Sequence, residues 1–108
     1  MVKRSRQFYE ARARVAKALA HPTRLLILDA LKEKEWCVCE LTELVGADQS
    51  TVSKHLAILK NAGIVEDRKE GSMNLYRLRI LCLDGFFGCM ESVLKEDLRA
   101  RSAEFARG

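Results

Sequence analysis

The residues of this chain best suited to chemistry are its four cysteines, and Cys37 and Cys39 are separated by a single residue. The chain has no run of about eighteen apolar residues and its amino terminus lacks an apolar signal core, so we expect a cytoplasmic protein without a membrane partner. In a reducing compartment, thiols are more often ligands or sensors than structural disulfides. We call Cys37 and Cys39 the thiol pair and predict a binding site there, with packing of two small side chains as the alternative.

Cys82 and Cys89 are poorly spaced to act as a second pair. Both fall in a predicted helix, in which seven residues separate their α-carbons by roughly 10 Å. That distance is too long for one small ion, so each is expected either to pack or to supply one sulfur to another site.

The two histidines lack the partners that catalysis requires. His21 precedes Pro22 at a predicted helix junction, where a histidine usually caps a helix or packs. No serine, cysteine or carboxylate is placed to assist His55, so we expect it to bond a phosphate or a group within the domain. A thiol enzyme or metal carrier is disfavoured because the motif is CxC rather than CxxC and no phosphate-binding glycine loop accompanies it. We predict no enzymatic activity and no organic cofactor.

Residues 40–62 have the pattern of a helix-turn-helix. A short amphipathic helix stops at Gly46, and Asp48 is a suitable N-cap for a second helix that stops at Gly63. Apolar residues occupy one face of the second helix, which leaves a polar face without acidic residues to enter the major groove of DNA. The residues predicted to contact DNA from this helix are Gln49, Ser50, Thr51, Ser53, Lys54, His55 and Lys60.

A change to a period of two after Gly63 predicts a β-hairpin wing over residues 64–80. Residues 64–68 can pair with residues 75–80 across a turn at residues 70–73. Arg68, Lys69 and Arg77 would hold a phosphate backbone beside the groove. The formal net charge of +4 also favours a polyanionic partner. Binding to proteins alone is the alternative, because some helix-turn-helix domains bind no DNA.

These segments predict one domain over residues 1–108, of α+β class and mainly α. It is a winged helix-turn-helix flanked by amino- and carboxy-terminal dimerisation helices at about residues 5–20 and 82–101. A helix between them, from residue 22 to about residue 34, is apolar nearly all round and is predicted to form the centre of the core. The last helix carries more apolar surface than a chain of 108 residues can cover, so a homodimer on a palindromic operator is expected.

The segments ALAHPTRLLILDAL, CVCEL and STVSKHLAILKNAGIV, followed by a basic wing, resemble the ArsR/SmtB family of metal-responsive repressors. The resemblance implies a homodimeric winged helix that leaves its double-stranded operator DNA when an effector binds. CVCEL is similar to the arsenical branch, which implies As(III) or Sb(III) on Cys37 and Cys39. That branch usually has a third cysteine where this chain has Thr42. The third ligand could therefore be Cys82 or Cys89, from the same subunit or the other, or a small cellular thiol. The ion could also be bound by only two protein sulfurs.

The spacing of the thiol pair also suggests how binding becomes motion. Residues two apart in a regular helix point about 160° away from each other, so one ion on both thiolates is expected to distort the start of the helix. A shifted recognition helix would then lose its DNA contacts. Oxidants or reactive sulfur, acting through a disulfide or polysulfide, are a rival effector class, and cadmium or lead is another.

Overall fold

The structure, a computed structural model, describes residues 3–107, with side chains described as far as residue 104. The chain order within this range is α1 (Arg6–Leu19), α2 (Pro22–Glu33), β1 (Trp36–Cys37), α3 (Val38–Val45), α4 (Gln49–Asn61), β2 (Val65–Glu70), β3 (Met73–Leu78) and α5 (Leu83–Arg107). The mainly helical α+β class and the winged helix-turn-helix are thus confirmed. Helix α4 is the recognition helix.

The turn between α3 and the recognition helix is built as the sequence predicts. Gly46 ends α3 in the left-handed region at φ 75°, which glycine adopts without strain. The Asp48 carboxylate then accepts a hydrogen bond of 2.7 Å from the Thr51 backbone N–H and another of 2.7 Å from the Ser50 hydroxyl. These bonds, that of Ser50 first, lower the pKa of Asp48 to about 2. The start of the recognition helix is therefore fixed by a charged N-cap.

Asp48→Ala is expected to lower the midpoint of thermal unfolding at pH 7 by roughly 4–8 °C, the change typical of losing one N-cap in a domain of this size. Because the pKa of Asp48 falls from 3.8 in the unfolded chain to about 2 in the fold, its stabilising effect is present above pH 3.8 and is lost as the pH falls toward 2. Thermal melts at several pH values test this. Asp48→Ser is the control, since serine keeps an acceptor oxygen. If Asp48→Ala and wild type had the same midpoint of thermal unfolding at pH 7, the stabilising role of the Asp48 cap would be contradicted.

A short strand that the sequence did not reveal joins the hairpin to the start of α3. The sheet has the order β1-β3-β2, with both neighbouring pairs antiparallel. Strand β1 aligns Trp36 with Tyr76 and Cys37 with Leu75. The hairpin itself follows the prediction, with Glu70 opposite Met73 at its end. One cysteine of the thiol pair is thereby paired, through its backbone, with the wing.

The core lies between α2, the helix-turn-helix and the base of the wing. Helix α2 contacts α1, α3, α4 and β3, so its predicted place at the centre is confirmed. One of its apolar residues, Leu26, is nevertheless exposed. The fully buried side chains of the core are Ile27, Leu28, Leu41, Val52, Leu56, Leu59, Ile64 and Val65.

Helix α5 is attached to the core only near its beginning. Leu83 and Phe87 are buried, and Asp84 receives an ion pair of 2.7 Å from Lys32 of α2. Farther along, an apolar stripe is exposed, with Leu94 59% and Leu98 64% accessible. The helix is longer than predicted, because it ends at Arg107 rather than at about residue 101. Across residues 3–107, no helix combines the length and apolar composition that a bilayer crossing requires.

Candidate nucleic-acid interface and thiol site

The amino-terminal half of the recognition helix presents the polar surface that the sequence predicts. Gln49, Ser50, Ser53 and Lys54 are exposed, while Val52 on the opposite face is buried. Thr51 is half-buried and uses its backbone N–H on the N-cap. Within the residues described, Lys54 forms no ion pair, so its ammonium group is available to a phosphate.

His55, predicted to bond a phosphate or a group within the domain, forms a bond within the domain. Its Nδ1 lies 3.1 Å from a guanidinium nitrogen of Arg24, and its ring centroid lies 4.4 Å from that of His21. Arg24 also donates to the Ala18 carbonyl at 2.7 Å. Burial, then His21 and Arg24, lowers the pKa of His55, so the ring is neutral at pH 7 and accepts from Arg24. His55 therefore holds the recognition helix against the junction of α1 and α2, the within-domain alternative for this residue.

His21 caps α2, as expected for a histidine before proline. Its Nδ1 accepts a hydrogen bond of 3.1 Å from the Thr23 backbone N–H. A ring nitrogen used in this way has a structural function, so His21 needs no ligand to explain it.

Three of the cations predicted to contact DNA are paired with carboxylates. Ion pairs join Lys60 to Asp67 at 2.8 Å and Arg77 to Glu66 at 2.7 Å, whereas Arg68 bonds both Glu70 and Glu35, the latter at 2.9 Å. Their carboxylate partners raise the pKa of Lys60 and of Arg68. A phosphate would have to replace these carboxylates, which is easiest at Arg68 and Arg77, because their ion pairs are exposed and contribute little, whereas the Asp67 side chain is 18% exposed. Lys69 has no ion pair among the described residues.

The sulfurs of the thiol pair lie 2.7 Å apart. Cys37 is the N-cap of α3, with extended backbone at φ −83° and ψ 161°, and only Cys39 is inside the helix. The expectation that both thiolates must distort a regular helix is therefore wrong in its premise, because Cys37 precedes the helix and can turn toward Cys39. Cys37 is buried and Cys39 is exposed.

The start of α3 is closed by a reciprocal cap. The Glu40 carboxylate accepts a hydrogen bond of 3.0 Å from the Cys37 backbone N–H, which lowers the pKa of Glu40. The hydrogen bond with Cys39 is the main cause that raises the pKa of the Cys37 thiol. Cys37 is thus protonated at neutral pH, and an ion that binds it must displace the proton.

The thiol pair opens into a pocket of about 440 Å³, which we call the thiol pocket. Its walls come from three elements: the start of α3, the recognition helix through Gln49 and Ser53, and the wing through residues near its turn. An effector on the thiol pair would consequently lie beside two residues predicted to contact DNA. The sequence could not show the wing wall, because it depends on the pairing of β1 with β3.

A third cysteine of the same chain does not lie at the thiol pair. Cys82 lies before α5 and Cys89 within it, both are exposed, and neither lines the thiol pocket. Among residues 3–107, no group of three Cys, His, Asp or Glu side chains is arranged to hold an ion. The Thr42 hydroxyl, where a third cysteine was expected, donates to the Val38 carbonyl at 2.8 Å. Cys82 or Cys89 of a partner subunit stays a prediction.

The sequence is similar to known regulators. Residues 21–67 match the family described as "Bacterial regulatory protein, arsR family". An HTH-type transcriptional regulator of Methanocaldococcus jannaschii is 49% identical over 69 residues, which cover 63% of this chain and 78% of that protein. A homolog of the cadmium resistance transcriptional regulatory protein CadC from Staphylococcus aureus is 43% identical over 67 residues, which cover 61% of this chain. They cover 55% of that homolog, so this chain spans about half its length.

The fold is also similar to a solved structure. The solution structure of Mb0332 from Mycobacterium bovis superposes with a TM-score of 0.75 and 34% sequence identity, covering 93% of this chain and 95% of that one. It is described as a homodimeric winged helix-turn-helix DNA-binding domain and a possible ArsR-family transcriptional regulator. The similarity includes the helices outside the helix-turn-helix, since it covers nearly the whole of both chains.

Proposed function

The chain belongs to the ArsR family of bacterial regulatory proteins, and on that premise we propose that it is a homodimeric transcriptional repressor released from operator DNA by As(III) or Sb(III). Members of this family are DNA-binding regulators and not enzymes. The observation that carries the proposal is the position of the thiol pair, with sulfurs 2.7 Å apart in a pocket shared with the recognition helix.

The two sulfurs are attached to different elements, which provides a way to move the DNA-binding surface. Cys37 belongs to β1 and pairs with Leu75 of the wing, whereas Cys39 belongs to α3, which packs on the recognition helix. An ion held by both sulfurs would therefore join the wing strand to the start of α3, and a change in how these two elements are held relative to each other can supply a coupling of about 1–3 kcal/mol per site.

Titration of arsenite into the reduced protein–DNA complex tests the proposal. A duplex is first selected from a random-sequence pool, and its release is followed by fluorescence anisotropy under strict anaerobic reduction. We expect release as arsenite is added. Failure of arsenite and antimonite to release the duplex from fully reduced protein would refute the trivalent effector.

A thiol-redox repressor is the second candidate, because sulfurs this close need little movement to form a disulfide. Peroxide would oxidise the two thiols to one disulfide and would itself be reduced to two waters. Release by peroxide or persulfide, with no response to arsenite, would favour this candidate. Cadmium or lead would instead be recognised by the ultraviolet absorption of thiolate–metal bonds during titration.

Lys54 and Lys60 are expected to contribute differently to DNA affinity. Lys54→Ala should weaken binding uniformly across sequences and reduce the slope of log K against log salt by about 0.9, the value for one phosphate contact. Lys60→Ala should have a smaller effect, because Lys60 is already paired with Asp67. Anisotropy titrations at several salt concentrations measure both slopes. An unchanged slope in Lys54→Ala would exclude a phosphate contact there.

A further inference from the structure

We infer that the thioether of Met73 completes the thiol pocket as a three-sulfur site, and that this site accepts a monovalent soft cation, Cu(I) or Ag(I), as an effector. The inference rests on the proposed effector role of Cys37 and Cys39 and adds a ligand and an ion class to it.

Met73 is placed at the thiol pair by the sheet. It is the first residue of β3 and lines the same pocket as Cys37 and Cys39. The register that sets Cys37 opposite Leu75 runs antiparallel, so the two residues before Leu75 extend toward Cys39. The Met73 side chain is 46% exposed and is not among those packed against the core. Packing therefore does not account for a long apolar side chain at the tip of a charged hairpin.

The donor set favours an ion of low charge. Thiolate and thioether sulfurs together are the ligands that select Cu(I). Two thiolates and one neutral thioether supply a charge of −2, which leaves a net charge of −1 with a monovalent cation. A trivalent ion would gain no charge compensation from Met73, so the thioether contributes little to arsenite binding.

The same charges indicate how this ion would act on DNA. Two thiolates around a monovalent cation form a site of net charge −1. This charge would lie beside Gln49 and Ser53 of the recognition helix and would repel DNA phosphates. The third bond would also join the tip of the wing to the start of α3.

The test compares wild type, Met73→Leu and Met90→Leu. Each protein is used as the whole 108-residue chain, with its thiols reduced and under anaerobic conditions. Met90→Leu is the matched control, because Met90 is on α5 and does not line the thiol pocket. Cu(I) is delivered with a chromophoric chelator that competes for it. We expect Met73→Leu to lower Cu(I) affinity at least about tenfold, with Met90→Leu unchanged. X-ray absorption should count three sulfurs on copper in wild type and two in Met73→Leu.

Two further measurements separate this inference from the arsenite proposal. Met73→Leu should keep wild-type arsenite affinity, whereas Met73→Cys, which supplies a third thiolate, should raise it. If arsenite is inert toward wild type while Cu(I) affinity and DNA release depend on Met73, the trivalent effector is wrong and the three-sulfur site stands. Equal Cu(I) affinity in wild type and Met73→Leu, or Cu(I) binding that leaves the DNA bound, overturns the inference.

Discussion

Replacing Cys37 or Cys39 by serine should leave the protein on its operator and make it unresponsive to arsenite. A coupling of about 1–3 kcal/mol per site corresponds to roughly a 5- to 150-fold loss of DNA affinity on effector binding in wild type. A serine hydroxyl is a hard, protonated oxygen at neutral pH, so each variant has one soft ligand where two are needed. We expect either variant to change DNA affinity by less than about twofold on arsenite addition.

The fold should tolerate both substitutions, which makes the result interpretable. Position 37 is the N-cap of α3, and serine is a preferred N-cap residue. Position 39 is exposed. Cys82→Ser and Cys89→Ser are the controls for general loss of thiols, and they also test a ligand from the partner subunit. A full arsenite response in Cys37→Ser would contradict a role for the thiol pair.

Placing a charge on the exposed stripe of α5 should separate the subunits and abolish tight operator binding. Val93, Leu94 and Leu98 are 68%, 59% and 64% accessible in the single chain, more apolar surface than a monomer of this size usually exposes. Leu94→Glu would bury an unpaired carboxylate in a two-fold interface. Because a dimer engages two half-sites at once, the monomer should lose at least about 100-fold in operator affinity.

Ser92→Glu is the matched control for this substitution. It adds the same charge two residues earlier, about 160° around the helix from Leu94. We expect Ser92→Glu to remain a dimer in sedimentation experiments and to bind the operator like wild type. A dimer that persists in Leu94→Glu at micromolar concentration would mean that subunits associate through another surface.

Local sequence patterns predicted most of the fold, because each predicted element depends on residues that are close together in the sequence. The cap at Asp48, the stop at Gly46 and the hairpin around Gly71 depend on residues within a few positions of one another. The start of α3 was predicted at Glu40 but lies at Val38, since cysteine is not a recognised N-cap and its cap is completed by Glu40. Strand β1 has two residues, too few for any period to show.

Side-chain contacts between residues far apart in the sequence could not be predicted from periodicity. The ion pair of Arg68 with Glu35 joins residues 33 positions apart, and the bond of His55 to Arg24 joins residues 31 apart. Both contacts add partners that the prediction lacked. Arg68 is already paired with Glu35 in the protein without DNA, and His55 connects the recognition helix to Arg24 of α2. The identity of the residues was available in the sequence, but their partners follow only from the packing of the helices and the sheet.

The carboxylates around Lys60, Arg68 and Arg77 change how ionic strength should act on this protein. When a phosphate takes over one of these cations, the departing carboxylate recruits a counterion from solution, which offsets a counterion that the duplex releases. In the protein without DNA, these carboxylates also make the wing attract a polyanion less strongly than its basic residues alone would suggest. DNA of unrelated sequence should therefore bind the protein weakly. Less of the protein would be held at nonspecific sites while it searches for its operator.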